Sequence, residues 1–241
     1  MYTGAERSGK DYGGAVAENT QRRRGRHAEG IRNDHLLLDA ARDVFAAHGA
    51  AGSVAEVAAR AGLGIGSLYR RYGSKTELLQ RLCVLSMEQA VAAATDALAV
   101  PDPTDALTGY IHACVAHRTG ALAPIAGTIE PTPEMWALAR KGRRLHNRIV
   151  ARAHQHGTLR RDVTAVDISW LIEQFARTAP AADAGRPDHD IHQRLLTIAV
   201  DGLYATNSHP LPGGRPTTAH YEQRWQTPSQ PDPRSVGRSG R

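Results

Sequence analysis

From Leu37 to about residue 205, apolar residues recur at three-to-four spacing almost without interruption, the period of helices that each bury one stripe. Leu37, Ala41, Val44, Phe45 and His48 share one face of a first helix, and Gly49 ends it. Ser53-Val54-Ala55-Glu56 and Ser74-Lys75-Thr76-Glu77 both have the form of a capping box, in which Ser and Glu satisfy orphan backbone donors reciprocally. The second box opens a long helix whose Leu78, Leu79, Leu82, Leu85 and Ala93 face inward, and Pro101 stops it. Asp102-Pro103-Thr104-Asp105 caps an amphipathic helix through Leu107, Ile111, Cys114 and Val115, which runs out near Gly120. After an apolar connector around Leu122 to Ile125, Thr132-Pro133 starts a long helix with Leu138, Gly142, Leu145, Ile149 and Ala153 in one stripe, closed by Gly157. Thr164 to Asp167 caps a helix carrying Ile168, Leu171, Ile172 and Phe175. Asp188 or Asp190 caps a last one with Ile191, Leu195, Ile198 and Gly202. No strand alternation and no internal repeat interrupts this pattern, so the fold class is all-α.

The two ends lack the period. Residues 1–30 are polar and include the basic run Gln21-Arg22-Arg23-Arg24-Gly25-Arg26-His27, which repels itself if packed and reads as a disordered arm. From Asn207 the chain is rich in Pro, Gly, Ser and Arg, and residues 207–241 read as a second loose tail. Composition agrees with helices, since only 5% of residues are aromatic. A net charge of +6 and a pI near 9.7 make a polyanion a fitting partner without proving one. The Ala-rich stretch after Leu82 is interrupted by Glu88, Gln89 and Asp96, so no membrane span is expected. The N-terminus has no apolar secretory segment. A cytoplasmic protein with Cys83 and Cys114 reduced and buried is the expectation.

The chemistry concentrates at residues 53–72. One short capped helix, the tight turn Gly62-Leu63-Gly64 and a second short helix from Ile65 to Tyr72 make a helix-turn-helix, the unit that presents one helix to the DNA major groove. Ser67, Tyr69, Arg70 and Arg71 place hydroxyls and guanidinium groups on that second helix, where phosphates and base edges are met together. The stretches Leu37 to Gly49, Ser53 to Gly62, Gly66-Ser67-Leu68-Tyr69-Arg70-Arg71-Tyr72 and Lys75-Thr76-Glu77-Leu78-Leu79 together resemble the DNA-binding domain of the TetR family from end to end.

That resemblance implies a three-helix reading head at 31–80, followed at 81–206 by a helical domain for effector binding and dimerisation. Ser53, Gly64, Ile65, Gly66, Ser67, Tyr69, Arg70, Arg71 and Lys75 then form the expected DNA-binding set. Ser67 and Tyr69 stand where the family contacts phosphate, and Lys75 matches its phosphate-clamping lysine. Arg70 and Arg71 are the expected base readers, because Arg bonds guanine O6 and N7 bidentately. Gly64 contributes no side chain, and Ile65 can at most touch a thymine methyl. Arg22, Arg23, Arg24 and Arg26 either solubilise the arm or enter the minor groove.

The C-terminal half resembles the family more weakly, at Gly157 to Ile168 and at Ala199-Val200-Asp201-Gly202-Leu203. His112, His117, Trp136, Trp170 and Phe175 are candidate walls of an effector pocket, with core packing as the alternative for each. Arg140, Lys141, Arg143, Arg144, Arg148 and Arg152 form either a solvated helix face or a cluster for an acidic effector. The glycines at 62, 64 and 66 follow a helix instead of a strand, which excludes a dinucleotide loop. His112 and Cys114 diverge by about 200° on a helix, so His112-x-Cys114-x-x-His117 is no metal site. No nucleophile, base and orienter can be placed together, so no enzymatic activity, metal or cofactor is expected. The expected partners are double-stranded operator DNA, a second copy of the chain and a small-molecule effector.

Overall fold

The computed structural model describes residues 30, 32–180, 185–204 and 209–223. The basic arm expected at residues 1–30, with Arg22, Arg23, Arg24 and Arg26, lies outside them apart from Gly30. Helix α1 runs over residues 32–48 and continues into a short 3-10 turn at Gly49–Ala51. Then come α2 (Val54–Arg60), α3 (Ile65–Tyr72), α4 (Lys75–Ala99), α5 (Pro103–Ala116), a 3-10 turn at Ala123–Ile125, α6 (Pro133–His156), α7 (Ala165–Thr178), α8 (Arg186–Asp201) and α9 (Thr218–Gln223). The described residues contain no strand.

Most boundaries are fixed by caps. Asp102 accepts from the Thr104 and Asp105 amides, and Thr132 accepts from the Met135 amide. Gly157 closes α6 in the left-handed region at φ 84°, which a glycine adopts without steric cost. Ser53 and Ser74 cap α2 and α4 by accepting from the Ala55 and Glu77 amides. The expected return bond is not how Glu56 is used, because its carboxylate lies 3.6 Å from His48 Nε2 on α1. A reciprocal box does form at Thr164 and Asp167. Helix α8 starts earlier than Asp188 or Asp190 would set it: Gly185 is its N-cap, and Pro187 sits in the first turn, where a missing N–H costs nothing. The loose tail expected from Asn207 does not hold for residues 209–223, which return to the body and end in α9.

Two hydrophobic cores share α4 as a spine. The first joins Leu37, Leu38, Val44 and Phe45 of α1 to Val57, Leu68, Tyr72, Leu78 and Leu82, and it also takes Leu122, Ile125, Ile129 and Met135 from beyond α5. The segment between α5 and α6 thus packs in one core with α1 to α4. The second core joins Ala94 and Ala97 of α4 to Leu107, Ile111, Ile149, Ile168, Ile172, Leu196 and Val200. Among the described residues α4 is long and apolar enough to cross a membrane by length and composition, Glu88 and Asp96 being too few to prevent it. Its Leu78, Leu79, Leu82 and Ala94 are buried in the two cores. A Cβ on Gly120 would stand 2.7 Å from Glu173 Cα, so only glycine lets the segment after α5 lie directly on the α7 backbone.

Candidate nucleic-acid interface

The turn between α2 and α3 is closed by the Leu63 amide donating to Ala58 O at 2.9 Å and the Gly62 amide to Ala59 O at 3.1 Å. Leu68 and Tyr72 turn α3 inward. Gly64, Ile65, Gly66, Ser67, Tyr69, Arg70 and Arg71 are all exposed. At about 100° per residue, Arg70 stands about 180° from the midpoint of Leu68 and Tyr72, whereas Tyr69 and Arg71 flank it, each about 80° from that midpoint on opposite sides. Arg70 is therefore the centre of the outward face, and its Nη2 donates to Ser67 Oγ at 3.0 Å, which holds hydroxyl and guanidinium side by side.

Arg71 is engaged within the head. Its guanidinium pairs with Asp34 of α1 at 2.8 Å and lies 5.3 Å from the centre of the Tyr72 ring, while Tyr72 Oη donates to the same carboxylate at 2.8 Å. Burial, helped by Asp34, pushes the Tyr72 phenol up to about 12. Lys75 is also engaged: its Nζ donates to Gly52 O at 2.9 Å and Ala50 O at 3.3 Å, bracing the connection between α1 and α2. Ser53 caps α2. Of the nine residues expected to meet DNA, the structure gathers Gly66, Ser67, Tyr69 and Arg70 on one free face, with Gly64 and Ile65 at its leading end. It ties Arg71, Lys75 and Ser53 into the head itself.

A polar chain links the head to the body. Asp43 of α1 bonds Arg60 of α2 at 2.9 Å and also pairs with Arg118, just beyond α5. Arg42, almost fully buried, donates to Asp39 at 3.2 Å and to Gln89 of α4 at 2.5 Å. Burial lowers its guanidinium to about 10, which leaves it cationic at neutral pH. Sequence spacing offered no signal for these pairs, since Asp43 and Arg118 are far apart in the chain.

A cavity of about 460 Å³ opens between α4, α5, α6, α7 and α9. Of the expected pocket residues, Trp136 lines it. Trp170 stands behind it, its ring edge-to-face with Tyr221 at 5.8 Å, and Phe175 packs on His192 at 5.6 Å. His112 and His117 are not among its walls, and His117 is exposed. The walls include Met87, Tyr110, Met135, Arg140, Arg143 and His146. His146 is buried, donates from Nε2 to Ala165 O at 2.7 Å and leaves Nδ1 without a partner among the described residues. Burial lowers its pKa, so the ring is neutral. Burial also pushes the thiols of Cys83 and Cys114 up to about 12 and 11, so neither is a thiolate at neutral pH.

Two family models divide this architecture between them. The one described as bacterial regulatory proteins, tetR family, matches residues 37–82, and the one described as transcriptional regulator SbtR-like, C-terminal domain, matches residues 102–205. The chain is a DNA-binding transcriptional regulator of all-α fold, with an N-terminal helix-turn-helix domain and a C-terminal helical domain. It belongs to the TetR family. Similar solved structures include the regulator SCO0520 of Streptomyces coelicolor, at 20% identity over 72% of this chain and 99% of that one, with a TM-score of 0.49. PfmR of Thermus thermophilus has 24% identity over 70% and 99% of the two chains, with a TM-score of 0.48. LfrR of Mycobacterium smegmatis, in complex with proflavine, has 24% identity over 70% and 96%, with a TM-score of 0.45. No curated protein matches the chain.

Proposed function

We propose that this regulator is a ligand-responsive repressor that binds a near-palindromic operator as a homodimer, with one α3 in each of two successive major grooves. The observation that carries the reading is the outward face of α3, where Ser67, Tyr69 and Arg70 are exposed beside Gly64 and Gly66. The two glycines let a phosphate or base approach the backbone, the hydroxyls suit phosphate, and Arg70 suits guanine. A dimer is supported by α8, whose Ile191, Leu195 and Ile198 are 58%, 52% and 58% exposed in one stripe, while His192, Leu196 and Val200 face their own domain. Such a stripe on a two-fold axis covers its own copy. An effector in the cavity contacts α4 and α6, and the segment from Arg118 to Met135 carries the change into the head core, favouring a head spacing that no longer fits DNA.

The test is fluorescence anisotropy of the protein on DNA from upstream of its own gene and on scrambled DNA, at two salt concentrations. The proposal expects tight, salt-sensitive, sequence-selective binding at two protomers per site, lost in a Leu195→Glu variant that sediments as a monomer. Equal weak binding to every sequence of a random DNA library would overturn it.

A further inference from the structure

Residues 209–223 lie back along the body. Arg160 and Asp162, in the turn between α6 and α7, form a two-bond ion pair at 3.0 and 2.8 Å. On this anchor Arg160 Nη2 donates to His209 O at 2.9 Å, and the Leu211 amide donates to Asp162 Oδ2 at 3.0 Å. Arg215 Nη2 donates to Arg161 O at 3.1 Å. The route ends in α9, which brings Thr218, Tyr221 and Glu222 to the rim of the cavity. Glu222 pairs with Arg143, and Tyr221 meets Trp170 edge-to-face.

What α9 places there is one aromatic ring and one carboxylate. The cavity beneath offers matching partners: apolar walls at Met87, Met135 and Trp136, and two guanidinium groups, Arg140 and Arg143, one turn apart on α6. Glu222 is the only acid among the described lining residues. Without α9 the described walls carry two cations, a neutral His146 and no carboxylate. The hold of α9 is exchangeable, because the side chains of Arg143 and Glu222 are 42% and 44% exposed and ion pairs this open to water are weak.

We propose that α9 is a tethered lid that competes with an external ligand for this cavity, and that the ligand is an anionic amphipathic molecule: an apolar or aromatic body in place of Tyr221, with its acidic group on Arg143 in place of Glu222. The proposal rests on the reading of the cavity as the effector site. It adds the class of effector and a built-in brake on its binding. A ligand of this class must displace α9 and is opposed by it at every concentration, so the lid sets the threshold at which the regulator responds.

Two fluorescent probes with the same ring system test this on the full-length protein: 1-anilinonaphthalene-8-sulfonate, which is anionic, and N-phenyl-1-naphthylamine, which is uncharged. Dissociation constants are read from probe emission. Location is read from the energy transfer that a Trp136→Phe variant loses. The anionic probe should bind more tightly than the neutral one. Glu222→Gln should tighten the anionic probe about twofold to fivefold, by freeing Arg143 as well as loosening the lid, and should tighten the neutral probe less, by loosening the lid alone. Tyr221→Ala should tighten both by about threefold to tenfold, and Arg143→Gln should weaken the anionic probe and abolish the effect of Glu222→Gln. If Trp136 transfers energy to a bound probe but Glu222→Gln and Tyr221→Ala leave both constants unchanged or weaker, the lid is overturned while the effector site stands. If no transfer depends on Trp136, both readings fall.

Discussion

The head and the body of this regulator are built on opposite plans from the same helices. In the head, polar side chains that could face outward are spent on cross-links: Arg71 and Tyr72 to Asp34, Arg60 and Arg118 to Asp43, Lys75 to the carbonyls of Ala50 and Gly52. In the body a cavity of about 460 Å³ is left open, a buried histidine keeps an unpartnered nitrogen among the described residues, and the cover is held through an exposed ion pair. Reading DNA needs side chains held in one geometry, whereas answering a ligand needs a space whose occupants can be exchanged. The difference places rigidity at α1 to α3 and compliance around α6 and α9.

The largest effect should come from breaking the rigid half. Phe45 is fully buried in the head core, and Phe45→Ala should cost about 3–5 kcal/mol in denaturant unfolding and remove DNA binding along with it. An equal loss of stability with full DNA affinity would mean that the head core does not hold α3. Next comes the link between the halves. Asp43→Asn loosens both Arg60 and Arg118, and is expected to cost about 2 kcal/mol and to uncouple DNA release from effector-site ligands while leaving probe binding in the cavity intact. Arg71→Ala should be milder, at about 0–1 kcal/mol of stability, because the pair with Asp34 is partly exposed, and the base preference should survive it.

The smallest effect sharpens the compliant half. Burial lowers the pKa of His146 in the folded protein, so between that value and the ordinary histidine value the unfolded chain binds more protons than the folded one. Stability then rises with pH across this window and falls as pH drops below about 6.5. His146→Gln should flatten the slope by up to one proton, measured from thermal unfolding between pH 5 and 8.

How much of this was legible in the sequence follows the range of each interaction. The caps at Asp102, Thr132, Thr164 and Gly157 are local, and each begins or ends its helix where the spacing placed it. The start of α8 differs from the expected cap because Pro187, itself a first-turn signal, sets it ahead of Asp188 and Asp190. Helix α9 was hidden by the prolines around it, although Thr217 to Gln226 contains none. The exposed row on α3 follows from the spacing of Leu68 and Tyr72 and from the resemblance to the family. The diversion of Arg71 does not, because Asp34 is 37 positions away. Of the residues expected in a pocket only Trp136 lines the cavity, since its walls come from separate helices that meet only in the fold. His146 had one local sign, its place between Gly142 and Ile149 on the buried stripe of α6.

The central claim is that the outward face of α3, with Arg70 at its centre, reads the operator. The direct measurement is selection of binding sites from a random DNA library by the wild-type protein and by Arg70→Ala in parallel. The account predicts a near-palindromic wild-type motif and a variant that loses about 1–3 kcal/mol of preference at the same base in each half-site, with Arg71→Ala retaining it. An Arg70→Ala motif identical to the wild type at every position would contradict it.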